Sequence, residues 1–473
     1  MKIKTLNNIL DNKKISLTTK SISAFHIVKL HSLFIKKKFS VINIIYKIFK
    51  KILVIIFIFN DFFKKKYNKK IPNKKILIIS HLINKKHLNS KDDFYYGNFE
   101  NILKKFNKSY YKLMINHTDI NSSYLNLKNR NKNSFILDKN LNFEYECKII
   151  FKKIISLFEL FFLFFCRKLS FKNFFLLITS LFDSTTSFSL RINYQIKDFI
   201  KSVNPSFCIL TYEGYSWERM CINGVKSVDE KIECIGYQHT PVTHHHRAIF
   251  NYMNGNFNPD KIWCSQINSY KILRKKIYKK LKKKILFVGN FKKNTIKKSK
   301  IYNSKSFLVI PEGIYSECDI LFRFSLRLAR QFKNLSFIWR VHPVINFKKV
   351  LNDLNIKKNN LPKNILISSK KFEEDVLRCK YVIYTGSAAV IKSVLMGNYP
   401  IYFHSDNEKN FDPLIAFFGD KNYVNNEKSF LNLLKRIEYK SYKKDFRKKV
   451  LSLKNDSFSN PDVKKIINSF KSR

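Results

Sequence analysis

From Lys74 onward the chain alternates short, almost wholly apolar runs with longer stretches whose apolar residues recur every three or four positions. The runs KKILIIS (Lys74 to Ser80), YYKLMIN (Tyr110 to Asn116) and SFILD (Ser134 to Asp138) predict three buried strands. A mainly helical stretch covers about 143–202. Strands then follow at SFCILTYEG (Ser206 to Gly214), IECIGYQHT (Ile232 to Thr240) and KIWCS (Lys261 to Ser265), with a helix at SWERMCINGVKS. Strands without polar alternation, spaced by helices, imply parallel pairing through right-handed crossovers. The Lys-rich stretch Ile267 to Lys284 breaks this rhythm and is the expected hinge. After it come ILFVGN (Ile285 to Asn290), SFLVIPEG (Ser306 to Gly313), LSFIWRVHP (Leu335 to Pro343), NILISS (Asn364 to Ser369), KYVIYTGS (Lys380 to Ser387) and YPIYFHS (Tyr399 to Ser405). Helices are expected at about Glu317 to Phe332, at FEEDVLRC, at AAVIKSVLMG and at KSFLNLLKRI. The pattern is α/β: two Rossmann-like domains facing a cleft. The expected divisions are an N-terminal extension at 1–73, a first domain at 74–275 with its helical insertion, a second at 284–425, and closing helices at 426–473.

A length of 473 residues exceeds the usual size of one core and agrees with two domains. The formal net charge of +56 comes mostly from Lys spread along the whole length. Such a surface attracts anionic headgroups and nucleotide phosphates. No Arg-rich helix or aromatic-basic motif accompanies it, so specific nucleic-acid binding is not expected. The eight cysteines are scattered without a C-x-x-C pair, which suits thiols in a reducing cytoplasm. Met1 to Lys20 lacks the apolar core of a signal peptide. The run ILVIIFIF (Ile52 to Phe59) is shorter than the ~20 residues a membrane span requires, so a buried or interfacial helix is expected there. The Phe-rich block Leu157 to Phe182 is interrupted by Glu159, Arg167, Lys168 and Lys172, and reads as core helices or as a membrane-contacting surface.

In open parallel sheets, ligands bind beyond the carboxyl ends of the strands, so the residues closing each strand are the candidates. In WRVHP, Arg340 and His342 lie two apart on one strand face, where Arg offers a fork for phosphate oxygens and His a proton donor. In YTGSAAV, Thr385, Gly386 and Ser387 stand between a strand and a helix, with Ser387 as the expected N-cap of an anion-binding terminus. In TYEGYSWE, Glu213 is a candidate general base, and helix capping by Glu213 or Glu218 is the structural alternative. In GYQHTPVTHHHR, His239 is a second candidate base, and Arg247 a group for an anionic ligand. The run His244 to His246 lacks the convergent spacing of a metal site.

These segments resemble a known pattern. FIWRVHP with YTGSAAVIKSVLMGNYPIYF is similar to the nucleotide-sugar domain of GT-B glycosyltransferases, closest to bacterial enzymes that build capsule, lipopolysaccharide and other surface glycans. DDFYYGNFENIL (Asp92 to Leu103), YEGYSWE and GYQHTPV resemble surface-carbohydrate biosynthesis proteins of that fold. A more distant similarity to bacterial sialyltransferases implies Glu213 as base, His342 on the donor phosphate and Ser387 beside it. Tyr212 stands where that pattern has a second acid, and Lys392 where many relatives carry a ribose-binding Glu. The resemblance implies Arg340, His342, Thr385, Gly386 and Ser387 around the phosphate, and Glu312, Gly313 and Lys392 near the donor. It implies Tyr212, Trp217, Gln238 and Arg247 on the acceptor side. It further implies a metal-independent, cofactor-free glycosyltransferase in the cytoplasm at the anionic inner membrane surface, acting on a nucleotide-activated sugar and a glycan or lipid-linked acceptor. Two alternatives stay open: a CDP-polyol phosphotransferase of the same fold, and a non-catalytic membrane-associated scaffold.

Overall fold

The computed structural model describes residues 15–22, 26, 75–129, 131, 133–244, 246–292, 305–342, 345–355, 360–404 and 411–470. The ILVIIFIF run and nearly all of the N-terminal extension lie outside them, as do Pro343 and His245.

Among the described residues, thirteen strands form two parallel sheets. The first contains β1 (Ile76–Leu82), β2 (Tyr110–Asn116), β3 (Ser134–Ile136), β4 (Phe207–Thr211), β5 (Glu233–Gln238), β6 (Lys261–Cys264) and β7 (Ile285–Phe287), in the order β3-β2-β1-β4-β5-β6-β7. The second contains β8 (Ser306–Ile310), β9 (Ser336–Trp339), β10 (Ile365–Ile367), β11 (Tyr381–Tyr384), β12 (Tyr399–Phe403) and β13 (Tyr423–Val424), in the order β10-β9-β8-β11-β12-β13. Each sheet reverses its winding between its first and fourth strands, β1/β4 and β8/β11, and such a reversal opens a crevice at the strands' carboxyl ends. Every residue of β1, β8 and β11 is buried. Helices cover both faces of these strands, which is why the sequence there is mostly apolar without polar alternation.

The expected domain line shifts at both ends. Ile285–Phe287 pairs with Ile262–Cys264 as the edge strand of the first sheet, so it does not open the second domain. The Lys-rich stretch expected as a hinge is two helices, Ile267–Lys276 and Lys279–Lys282, whose Leu273 and Leu281 are buried in the first core. The chain also returns. After the helix Lys440–Ser457, Asp462 N donates to Val288 O at 2.8 Å, and Phe470 packs 5.3 Å from Phe207 and 5.6 Å from Trp263 in the first domain.

The helical stretch of the first domain is three helices, Phe143–Phe165, Phe171–Leu181 and Ser184–Val203. Arg191 grips Glu146 with two bonds, of 2.5 and 2.8 Å, tying the third helix to the first. Asn193 Nδ2 then donates to Met220 O at 2.8 Å, joining the insertion to the helix Ser216–Lys226 behind the site.

The DDFYYGN segment has a structural reason for its glycine. Gly97 has φ +49°, and a Cβ there would sit 2.3 Å from Phe291 O. Asn98 N donates to the same carbonyl at 3.0 Å, so this turn clamps the chain leaving β7.

Candidate functional site

The carboxyl ends of β1, β2, β4 and β5 bring together a cluster of His, Tyr, Trp and Glu side chains. His81 Nδ1 lies 2.8 Å from His117 Nε2, and His81 Nε2 lies 3.2 Å from Thr211 Oγ1. The His81 ring is 4.9 Å from the rings of both Tyr95 and Trp217. Burial, then the neighbouring His117 and His239, hold His81 well below the ordinary imidazole range; burial and Lys139 lower His117. The sequence reading did not single out His81, His117 or Tyr95. The available signal was a His interrupting the apolar run ILIISHL and another directly after YYKLMIN.

The two acids of TYEGYSWE have separate environments. Glu218 is buried, and its Oε2 accepts from the backbone N–H groups of Glu213, Gly214 and Tyr215 at 2.8, 2.7 and 2.8 Å. Helix capping therefore falls to Glu218. Glu213, half-buried, points its carboxylate to the hydroxyl of Thr240 at the end of β5. Gly214 between them has φ +86°, and a Cβ would meet Ala248 C at 2.5 Å, so only glycine fits the turn. Arg219, 2% exposed, fastens the arrangement by donating to Ala248 O and Asn251 O at 2.8 Å each and to Asn258 Oδ1 at 3.0 Å.

His239 sits 4.9 Å from the Tyr95 ring, and burial with the nearby Lys292 lowers it to about 3. An imidazole so weakly basic is a poor proton acceptor at neutral pH. Of the four acceptor-side candidates, Tyr212 and Gln238 are wholly buried, with 0% exposure. They pack the interior and are not placed to touch a ligand. Trp217 is partly exposed above His81, and Arg247 opens the short helix Arg247–Phe250.

In the second domain, Arg340 follows β9, and its Nη1 donates to Asp375 Oδ2 at 2.7 Å and to Lys370 O at 2.8 Å. Asp375 has 0% exposure. Lys392 is likewise engaged, by Glu373. The acidic run at the start of the helix Phe372–Arg378 thus supplies counter-ions to both cationic candidates. His342 is lowered by burial, against an opposing pull from Glu312. Thr385 is buried, its Oγ1 3.4 Å from Glu317 Oε2. Ser387 is not the N-cap it was expected to be. The helix runs Ala389–Met396 with Ala388 at the cap and no side-chain bond there, while Ser387 O accepts from Val390 N at 3.2 Å. Gly313 and Gly386 lie on the adjoining strand-end turns, half-buried.

The two sets face one another. The Tyr215 side chain is 40% exposed, but desolvation of its hydroxyl, then the carboxylates of Glu213, Glu218 and Glu312, push the phenol well above its ordinary range, so acids of both domains act on one side chain. Lys292, exposed along its stem, lies 5.0 Å over the Phe94 ring; desolvation of its ammonium lowers it, Asp93 raises it, and Lys392 of the second domain lowers it. A cavity of about 320 Å³ lies between Val242, Thr243 and Gln266 of the first domain and Ile391, Pro413 and Phe417 of the second, and its lining includes none of Glu213, His239, His342 and Ser387. Among the described residues, no group of three or more His, Cys, Asp or Glu is arranged to hold a metal ion.

Asp412 is a further buried acid, at 1% exposure. Asp412 Oδ1 accepts from Tyr384 OH and Leu414 N, each at 2.8 Å, yet burial raises its carboxyl to about 7. The folded state therefore keeps a proton that the unfolded chain releases near pH 4. The group's stabilisation is fully present below that ordinary value and is lost as pH rises through about 7. Asp412→Asn is expected to remove this dependence. Denaturant titrations at intervals from pH 4 to 8 should show wild type losing up to about 4 kcal/mol relative to the variant. Parallel profiles would contradict it.

No protein-family model matches the chain, and no curated protein matches it. Among solved structures, the chain is similar to S. aureus MnaA solved with UDP, at 10% identity and a TM-score of 0.49, over 84% of this chain and 96% of that one. It is similar to the glycotransferase of kitacinnamycin, at 8% identity and 0.48, over 85% and 100%. It is also similar to the wall teichoic acid polymerase TagF, at 10% identity and 0.42, over 91% and 96%. The chain's own architecture, two Rossmann-like parallel sheets with their switch points toward a shared cleft, is that of the GT-B fold.

Proposed function

We propose that the protein is a glycosyltransferase that moves a sugar from a nucleotide-activated donor to a surface-glycan or lipid-linked acceptor without a metal. The observation carrying this reading is the division of labour between the acids of the first domain. Glu218 takes the capping task, which leaves the Glu213 carboxylate to accept from Thr240 and, with Glu312 of the second domain, to act on the Tyr215 phenol. In the proposed step, Glu213 removes the proton of an acceptor hydroxyl as its oxygen attacks the anomeric carbon. The bond from that carbon to phosphate oxygen breaks, and the nucleotide leaves with the electron pair. His342, Ser387 and the N-terminus of the helix Ala389–Met396 receive the developing charge. Arg340, held by Asp375, enters as the residue that positions the β9 end.

The test is a thermal-shift series on the purified protein with UDP-, GDP-, CMP-, CDP- and dTDP-linked sugars. One nucleotide class should raise the melting temperature in a saturable way, with the shift lost in His342→Ala. No shift with any class, for protein shown to be folded, would sink the reading. Stabilisation by CDP-glycerol, with the donor phosphate retained in the product, would replace it with polyol-phosphate transfer.

A further inference from the structure

The helix Phe143–Phe165 carries two apolar stripes. One, through Ile149, Leu160 and Leu163, is buried against the domain. The other runs Phe151, Ile155, Phe158, Phe162 and Phe165, at alternating spacings of four and three, on the outward side. Its members are exposed: Phe158 67%, Phe162 66% and Phe165 75%. Phe171, at the start of the next helix, adds a further 67%. Single exposed hydrophobics need no explanation, but a contiguous row of phenylalanines on one helical hairpin does. Arg167, Lys168 and Lys172 stand exposed at the turn between the helices, next to Phe165 and Phe171.

We propose that this hairpin is a docking surface for an anionic lipid bilayer, inserting the Phe stripe among the acyl chains while the basic turn meets the headgroups. Three features favour a bilayer over a second copy of the chain. Coiled-coil seams prefer Leu and β-branched residues, whereas four of the five stripe positions are Phe. Aromatic residues flanked by Lys and Arg are the composition of interfacial helices. The net charge of +56 opposes self-association and favours anionic lipid. No helix among the described residues is long and apolar enough to cross a membrane. Through Glu146–Arg191 and Asn193–Met220, the hairpin is bonded to the helix bearing Glu218. Docking would thus hold the Glu213 side of the cleft at the membrane. The inference does not depend on the proposed transfer reaction, since its readout is lipid binding.

The experiment is co-sedimentation of the full chain with vesicles of equal phosphatidylglycerol and phosphatidylethanolamine, against phosphatidylcholine alone. Wild type should partition to the anionic vesicles, and Phe158→Asp with Phe162→Asp should lower that partition by about tenfold or more. Both positions are exposed, so the fold should survive. A second measurement does not rely on that variant: the added indole fluorescence of Phe162→Trp should be quenched by vesicles with brominated acyl chains. Undiminished binding of the double variant, or an unquenched indole on bound protein, would overturn the proposal. Loss of a wild-type dimer in the double variant, with vesicle binding unchanged, would assign the stripe to self-association and overturn it equally.

Discussion

Glu213→Gln is expected to lower kcat for sugar transfer by about 10²–10⁴-fold while leaving the response to the donor nucleotide in place. The amide still accepts from the Thr240 hydroxyl, so the local packing should hold and the loss should fall on proton transfer alone. His239→Gln is the informative companion. With burial lowering His239 to about 3, the imidazole is neutral throughout the working range and offers little basicity to lose. Its replacement should reduce kcat far less than that of Glu213. Steady-state kinetics on both variants, with donor thermal shifts as the folding and binding control, check this ordering. Equal losses, or a full rate in Glu213→Gln, would move the base elsewhere in the cluster.

The fold was legible in the sequence wherever a strand is buried on both faces. β8 and β11 appear as mostly apolar runs, and β1 as one broken only by Ser80 and His81 near its carboxyl end, because helices cover each side, and the turn after each run marks the carboxyl end where the site lies. The domain boundary was misread because β7, a three-residue edge strand, and the Lys-rich helices before it carry little apolar signal. The candidate site was legible one residue at a time and illegible in its pairings. Arg340 and Lys392 stand out as cations at strand and helix ends. That Asp375 and Glu373 neutralise them follows only from the crossover packing one helix beside both. His81 on β1 and His117 directly after β2 are far apart in sequence, and only the parallel register of β1 and β2 brings their rings together. Tyr212 and Gln238 show the converse error: polar residues near strand ends looked like ligand contacts, but the pleat directs them inward.

Glu218→Ala is expected to be the most destabilising single change near the site, costing about 3–5 kcal/mol in the first unfolding transition. The reason is the number of partners left behind. Three backbone N–H groups at the start of the helix Ser216–Lys226 converge on one carboxylate oxygen, in a place where water does not reach them. Removing the acceptor strands all three at once, and the turn at Gly214 has little room to shift, since even an added Cβ there would stand 2.5 Å from Ala248 C. Activity should collapse with the turn that aims Glu213. Glu218→Gln keeps an oxygen at the same point and should lie between wild type and the Ala variant. Its dependence on pH separates hydrogen bonding from charge. Burial, then the Glu213 carboxylate, raise the Glu218 carboxyl well above its ordinary value, while the three N–H groups pull it down. A raised folded-state value means that wild-type stability from this group is greatest below the unfolded pKa and declines as pH rises toward the folded one. The Gln variant does not titrate, so its deficit relative to wild type should shrink as pH rises from 4.5. Denaturant melts of both variants across that range test the argument. A Gln deficit that grows with pH would mean that the carboxylate charge, held by the helix terminus, stabilises the fold more than its burial costs.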